Sequence, residues 1–114
     1  AGTLALAALE YLAHVDPEDA PSDLLALGLV LPAGAPVRTV TVAELPDGWR
    51  GAGAPACQAV GDAWLAAGDA LALRVPSAIV PEETNVLLDP RHPDMRRVRE
   101  VVARPFAFDP RLLG

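Results

Sequence analysis

The chain has 114 residues, of which 52% are apolar and 21% charged, and its formal net charge is −6. This length fits one domain and this balance is typical of a globular protein, which argues against a two-domain chain and against a disordered one. Because the net charge is negative and no run of basic residues is present, we expect no direct binding to nucleic acid.

The first predicted element is a helix over Thr3 to Val15 (TLALAALEYLAHV), which is rich in helix formers and has Thr3 as an acceptable N-cap. Nearly every position in it is apolar, so we expect the helix to be buried on most sides. Glu10 and His14 are its polar exceptions. The segment DPEDAPSD then ends the helix as a loop.

Two strands are predicted next, over Leu24 to Leu31 (LLALGLVL) and Val37 to Val42 (VRTVTV). The segment PAGAP between them is typical of a turn. The two strands are therefore predicted to pair as a hairpin.

A second helix is predicted over Ala56 to Ala67, started by Pro55 and closed by Gly68. Three more strands follow, over Leu71 to Val75, Thr84 to Leu88 and Val98 to Val102. Helices and strands do not alternate strictly in this order, which favours an α+β domain with a mixed sheet flanked by helices over a doubly wound parallel sheet.

Cysteine and hydropathy patterns indicate the cellular compartment. Cys57 is the only cysteine, so no intrachain disulfide can form and a reducing cytoplasm is compatible with the chain. No apolar stretch is long enough to cross a bilayer, and the N-terminus lacks the features of a signal peptide. We expect a soluble cytoplasmic protein without membrane association.

Familiar catalytic motifs are absent: the sequence has no glycine-rich phosphate loop, no nucleophile elbow and no cluster of cysteine and histidine with metal spacing. His14 and His92 are its only histidines, and their separation does not favour a zinc site. We therefore expect no metal.

Glu10 is the first candidate for chemistry, because a carboxylate on a nearly all-apolar helix is costly to bury unless it is paired, hydrogen-bonded or functional. The alternative is an ordinary surface pair with His14.

Ser77 is the second candidate, since it ends a strand where a binding cleft commonly opens; the alternative is a serine that caps a turn. Glu82, Glu83 and Asn85, just after it, could be exposed or could line the same cleft.

The successive blocks TLALAALEYLAHV, LPDGW, GDAWLAAGDALALRVPSAIVPEETNVLLDPRHPD and PFAFDPRL resemble the motifs of the RES domain in their usual order. That family is named for an arginine, a glutamate and a serine. The glutamate matches Glu10 of AALE and the serine matches Ser77 of VPSA. The arginine has no counterpart; in the family it lies upstream, so residues 1–114 are expected to be the C-terminal portion of a RES domain whose arginine-bearing segment precedes Ala1. Asp89 stands where relatives often carry asparagine.

The resemblance implies a fold like that of ADP-ribosyltransferases and a bacterial toxin that consumes NAD by cleaving the bond between nicotinamide and ribose. Glu10 and Ser77 would be the catalytic residues: Glu10 would stabilise positive charge on the ribose, and Ser77 would contact the nicotinamide ribose or a phosphate oxygen. Asn85 would also contact the NAD. The acceptor of ADP-ribose stays open among water, phosphate and a protein side chain.

The resemblance also implies a type II toxin–antitoxin system. An Xre-like antitoxin would inhibit the toxin, with a homodimer within the complex, and the Arg-rich end of the chain would offer a docking surface. The alternative is a non-catalytic binding module or a truncated remnant, because the chain lacks the family's arginine.

Overall fold

The computed structural model of the chain describes residues 1–51 and 55–113. Within these residues, the longer elements are two helices and five strands, joined in several places by short 3-10 turns. They are α1 (Leu4–His14), β1 (Leu25–Val30), β2 (Val37–Thr39), α2 (Pro55–Ala67), β3 (Ala72–Pro76), β4 (Thr84–Leu88) and β5 (Arg99–Pro105). The predicted α+β class is confirmed.

Both helices begin and end where the sequence predicts to within a residue or two. The hydroxyl of Thr3 accepts a hydrogen bond from the backbone N–H of Leu6 at 3.1 Å, which caps the first turn of α1. At the end of α2, Gly68 adopts a φ of 66° and donates its N–H to the carbonyl of Trp64. Neither helix is long and apolar enough to cross a membrane, and the same holds for every other helix within the described residues.

The larger sheet has three strands in the order β2–β3–β4. Strands β2 and β3 are parallel, so the chain must cross over between them, and α2 forms that connection. Strands β3 and β4 are antiparallel neighbours, and their register places Val75 opposite Asn85. This pairing fixes the end of β3 beside the start of β4.

The smaller sheet consists of β1 and β5 in antiparallel pairing. The predicted hairpin between the first two strands is therefore wrong, since β1 and β2 belong to different sheets. A turn such as PAGAP reverses the direction of the chain but does not determine which strands pair, and β1 instead pairs with β5. Gly28 lies opposite Val102 so closely that a Cβ at Gly28 would lie 3.0 Å from the Cβ of Val102.

The core lies between α2 and the larger sheet. It contains the buried side chains of Val40, Trp64, Ala70 and Leu73, and the indole Nε1 of Trp64 donates to the carbonyl of Ala70 at 3.1 Å. This hydrogen bond satisfies the one polar group of a large buried aromatic side chain.

Helix α1 is less buried than its composition predicts. Leu6 is its one buried residue among those described, while Leu4 and Leu9 are 44% and 42% exposed. The expectation of burial on most sides is thus wrong for the described chain. Apolar composition gives a tendency to be buried, but burial also needs a covering surface, and the described elements cover α1 on one side.

Candidate active site

Glu10, Ser77 and Asn85 meet at one point although they lie on three different elements. Ser77 directly follows β3, Asn85 lies in β4, and Glu10 lies on α1. The hydroxyl of Ser77 donates to Oε1 of Glu10 at 2.7 Å, and Nδ2 of Asn85 donates to the same oxygen at 2.8 Å. The structure thus joins the three residues that the sequence singles out.

Ser77 also organises the turn in which it lies. Its side chain is fully buried (0% exposed), and its hydroxyl oxygen accepts hydrogen bonds from the N–H groups of Ile79 and Val80 at 3.0 and 3.2 Å. Its own N–H donates to the carbonyl of Glu83 at 2.9 Å, closing the loop of residues 77–83. Ser77 thus caps a turn and also donates to Glu10, while its contact with a ligand stays a prediction.

The carboxylate of Glu10 is half-buried and its two oxygens differ. Oε1 accepts both donors, whereas Oε2 accepts no hydrogen bond from the described residues. The amide of Asn85 is the main reason that the pKa of Glu10 lies below its ordinary value of 4.5; burial opposes this effect, and the Ser77 hydroxyl and the charge of His14 support it. Glu10 is thus an ionised group held by two donors and not an ordinary surface pair with His14.

A cavity of about 260 Å³ lies against this carboxylate. Its polar side chains include Glu10 and Asn85, and its walls are largely apolar, formed by α2, β3, β4 and the segment around Trp49. Trp49, Cys57, Val60 and Val75 are among its lining residues. A wider and more open groove of about 610 Å³ continues along α2 and shares Cys57, Gly61 and Leu87 with the cavity, but it is not lined by Glu10, Ser77 or Asn85.

Trp49, Cys57 and Arg50 are not predicted as site residues from the sequence. Arg50 donates from Nε to the carbonyl of Ala78 at 2.7 Å and from Nη2 to that of Ile79 at 3.4 Å. It therefore ties the segment that carries Trp49 to the turn that carries Ser77. The block LPDGW ends next to Arg50 and was the one available signal for this part of the site.

Other polar residues near the predicted cleft do not join the group. Glu82 is exposed, and Glu83 accepts a hydrogen bond from the hydroxyl of Thr3 at 3.2 Å. Buried Asp89 caps a turn by accepting from the N–H of Arg91, as either aspartate or asparagine could. Across residues 1–51 and 55–113, no three His, Cys, Asp or Glu side chains come together as a metal site would require.

The chain is similar to known toxins over nearly its whole length. The sequence profile of the RES domain matches residues 1–109. A "Prs ADP-ribosylating toxin" of Sphingobium sp. (strain YBL2) is 33% identical over 116 residues, covering 99% of this chain and 72% of that protein. Proteins named "Toxin Res" from Yersinia enterocolitica and Pseudomonas putida are 34% and 39% identical, covering 98% and 93% of this chain and 74% and 72% of theirs.

Proposed function

Because the chain belongs to the RES domain family, we propose that it is an NAD-consuming toxin domain that breaks the bond between nicotinamide and ribose. RES domains are ADP-ribosyltransferase-like toxins, in agreement with the α+β fold. One relative carries ADP-ribosylation in its name, which supports NAD as the substrate class. The observation that carries the proposal is the Glu10 carboxylate, which is ionised, held on one oxygen and unbonded on the other at the edge of an apolar cavity.

The proposed step depends mainly on a fixed negative charge beside the ribose. As the bond from ribose C1′ to the nicotinamide nitrogen lengthens, the electron pair leaves with nicotinamide and positive charge grows on the ribose. A carboxylate oxygen beside the sugar stabilises that charge, and a preorganised one does so without reorientation. In Glu10 the available oxygen is Oε2. An acceptor then bonds to C1′ and gives up its proton.

The cavity suits the departing group. Nicotinamide is flat and aromatic, and the walls include the indole of Trp49 and the side chains of Val60 and Val75. Apolar walls exclude water from the developing charge, which strengthens its attraction to Glu10. The cavity and the carboxylate are thus complementary parts of one proposed site.

Ser77 and Asn85 support the carboxylate in this proposal. The contact of Ser77 with ribose or phosphate stays a prediction; its complete burial and its three hydrogen bonds favour the role of holding Glu10. Asn85 lines the cavity, and its Oδ1 accepts no hydrogen bond from the described residues, so that oxygen is available to a ribose hydroxyl.

The test is to incubate the purified full-length protein with NAD and to identify products by mass, with and without phosphate. We expect free nicotinamide together with ADP-ribose, its phosphate ester or an ADP-ribosylated protein, according to the acceptor. Glu10→Gln keeps the shape of the side chain but removes its charge, and should lower the rate of NAD loss at about pH 7 by at least about 100-fold. Glu18→Gln, at an exposed position beyond α1, is the matched control and should keep the wild-type rate.

Two outcomes would contradict the proposal. One is a folded wild-type protein that leaves NAD intact with every acceptor, which would favour the non-catalytic alternative. The other is a Glu10→Gln variant as fast as the Glu18→Gln control. The second outcome would leave an NAD-consuming protein whose catalytic group lies elsewhere.

An antitoxin protein is the proposed partner, as the likeness to toxins suggests. The six arginines toward the end of the chain are all exposed; three of them pair with neighbouring aspartates, whereas Arg96 and Arg99 have no acidic partner among the described residues. An acidic surface of the antitoxin could bind there. Expression of the toxin alone should arrest growth, and co-expression of the antitoxin from the neighbouring gene should relieve that arrest. The double substitution Arg96→Glu with Arg99→Glu should weaken the relief.

A further inference from the structure

The side-chain amide of Asn85 makes a single hydrogen bond to the described residues, and that bond goes to Glu10. Ser77 also donates to Glu10, but its hydroxyl additionally holds the N–H groups of Ile79 and Val80. Asn85 is the second residue of β4 and pairs with Val75 of β3, so its backbone position does not depend on its side chain. Within the described residues, the NH2 group of Asn85 thus binds the carboxylate alone, whereas the Ser77 hydroxyl also caps a turn.

Both donors converge on Oε1, and this fixes the plane of the carboxylate. Two hydrogen bonds from different directions restrict rotation of the group more tightly than one would. Two bonds from different strand ends, at 2.7 and 2.8 Å, define which oxygen is occupied and leave Oε2 as the one available to a substrate. Hydrogen bonds from neutral donors to a carboxylate also favour its charged form.

We propose that Asn85 is a positioning residue of the reaction, which acts through Glu10 by holding Oε1 and presenting Oε2 to the ribose. This inference rests on the proposed function, and it gives Asn85 a role distinct from the contact with NAD that the sequence predicts. A positioning residue changes how well the carboxylate works. A residue that only contacts NAD changes how tightly the substrate binds.

The pH dependence of turnover separates these roles. Glu10 must be ionised to stabilise positive charge, so kcat falls on the acid side as the carboxylate gains a proton. Asn85 is the main cause that keeps the pKa of Glu10 below 4.5. Loss of the amide removes a stabilisation of the charged form, so the pKa rises and the acid limb of kcat moves to higher pH.

The experiment measures kcat and KM for NAD between about pH 4 and pH 8 in wild type, Asn85→Leu, Asn85→Asp and Thr84→Val. Asn85→Leu has nearly the same shape but no donor, and should lower kcat about 10- to 100-fold, as expected for the loss of one hydrogen bond to a charged group. Its acid limb should shift to higher pH. Asn85→Asp should shift the limb furthest, because two adjacent carboxyl groups share a proton. Thr84→Val is the matched control, since the Thr84 hydroxyl makes no hydrogen bond to the described residues.

A titration of the Glu10 carboxyl carbon by NMR provides a readout that does not need activity. The carboxylate should titrate at higher pH in Asn85→Leu than in wild type. An unchanged titration, or a raised KM with an unchanged kcat profile, would overturn the positioning role while leaving the proposed function intact. A wild-type protein that does not consume NAD would instead overturn the proposed function.

Discussion

The two sheets of the molecule differ in how fully their side chains are covered. In the sheet β2–β3–β4, Leu73 is 1% exposed and packs with Trp64 of α2 in the core. In the pair β1–β5, Leu25 is 64% exposed, and every residue of β5 is exposed to solvent. The contrast is sharpest between β3 and the pair β1–β5, because β2 of the larger sheet is exposed along its length and Ala26 of β1 is buried.

The candidate site is built on β3 and β4 of the larger sheet. Ser77 and Asn85 belong to the end of β3 and to β4, where strand pairing fixes the backbone, and Glu10 joins them through side-chain hydrogen bonds. Groups that must hold a charge in one orientation work best on elements that do not move. We infer that β3 and β4 hold the donors Ser77 and Asn85 in fixed positions, and that α1 contributes the charged group, Glu10.

The largest effect should follow from opening the covered sheet. Leu73→Ala removes a fully packed side chain from β3 and leaves a cavity beside Trp64, so the free energy of unfolding should fall by about 2 to 5 kcal/mol. Urea denaturation followed by tryptophan fluorescence would measure it. A loss below about 1 kcal/mol would mean that the core around Trp64 can collapse onto the vacancy, and the contrast between the sheets would be weaker than the exposures suggest.

A smaller effect is expected where the covered sheet meets the site. Ser77→Ala deprives the N–H groups of Ile79 and Val80 of their acceptor and Glu10 of one donor, which should cost about 1 to 3 kcal/mol of stability. Thr41→Ala is the matched control, because that hydroxyl also donates to a glutamate, Glu44, but at an exposed site. We expect the control to lose less than about 0.5 kcal/mol in the same urea experiment. Equal losses in the two variants would show that burial of the Ser77 network adds nothing.

Local signals predicted most of the elements. Thr3 and Gly68 have the chemistry of helix ends, and both act as such in the structure. The strand Thr84–Leu88 has its predicted bounds, while the last strand extends to Pro105. Caps, turns and apolar runs depend on neighbouring residues, so the sequence carries them directly.

The choice of strand partners could not be predicted in the same way. The pairing of β1 with β5 and the parallel pairing of β2 with β3 join segments far apart in the sequence, and no local pattern encodes them. The site shows the same division. A carboxylate on an apolar helix indicates Glu10 as a candidate. Its hydrogen bond from Asn85, 75 residues later, depends on the fold.

The smallest effect should come from the same substitution on the open sheet. Leu25→Ala removes as many atoms as Leu73→Ala, but most of the Leu25 side chain already contacts water, so the transfer free energy and the cavity are both small. We expect the free energy of unfolding to change by less than about 0.5 kcal/mol. The two variants should be compared in parallel, in the intact protein and under the same conditions. If Leu25→Ala instead cost about as much as Leu73→Ala, the β1–β5 face would be covered in solution, and the contrast between the two sheets would have to be withdrawn.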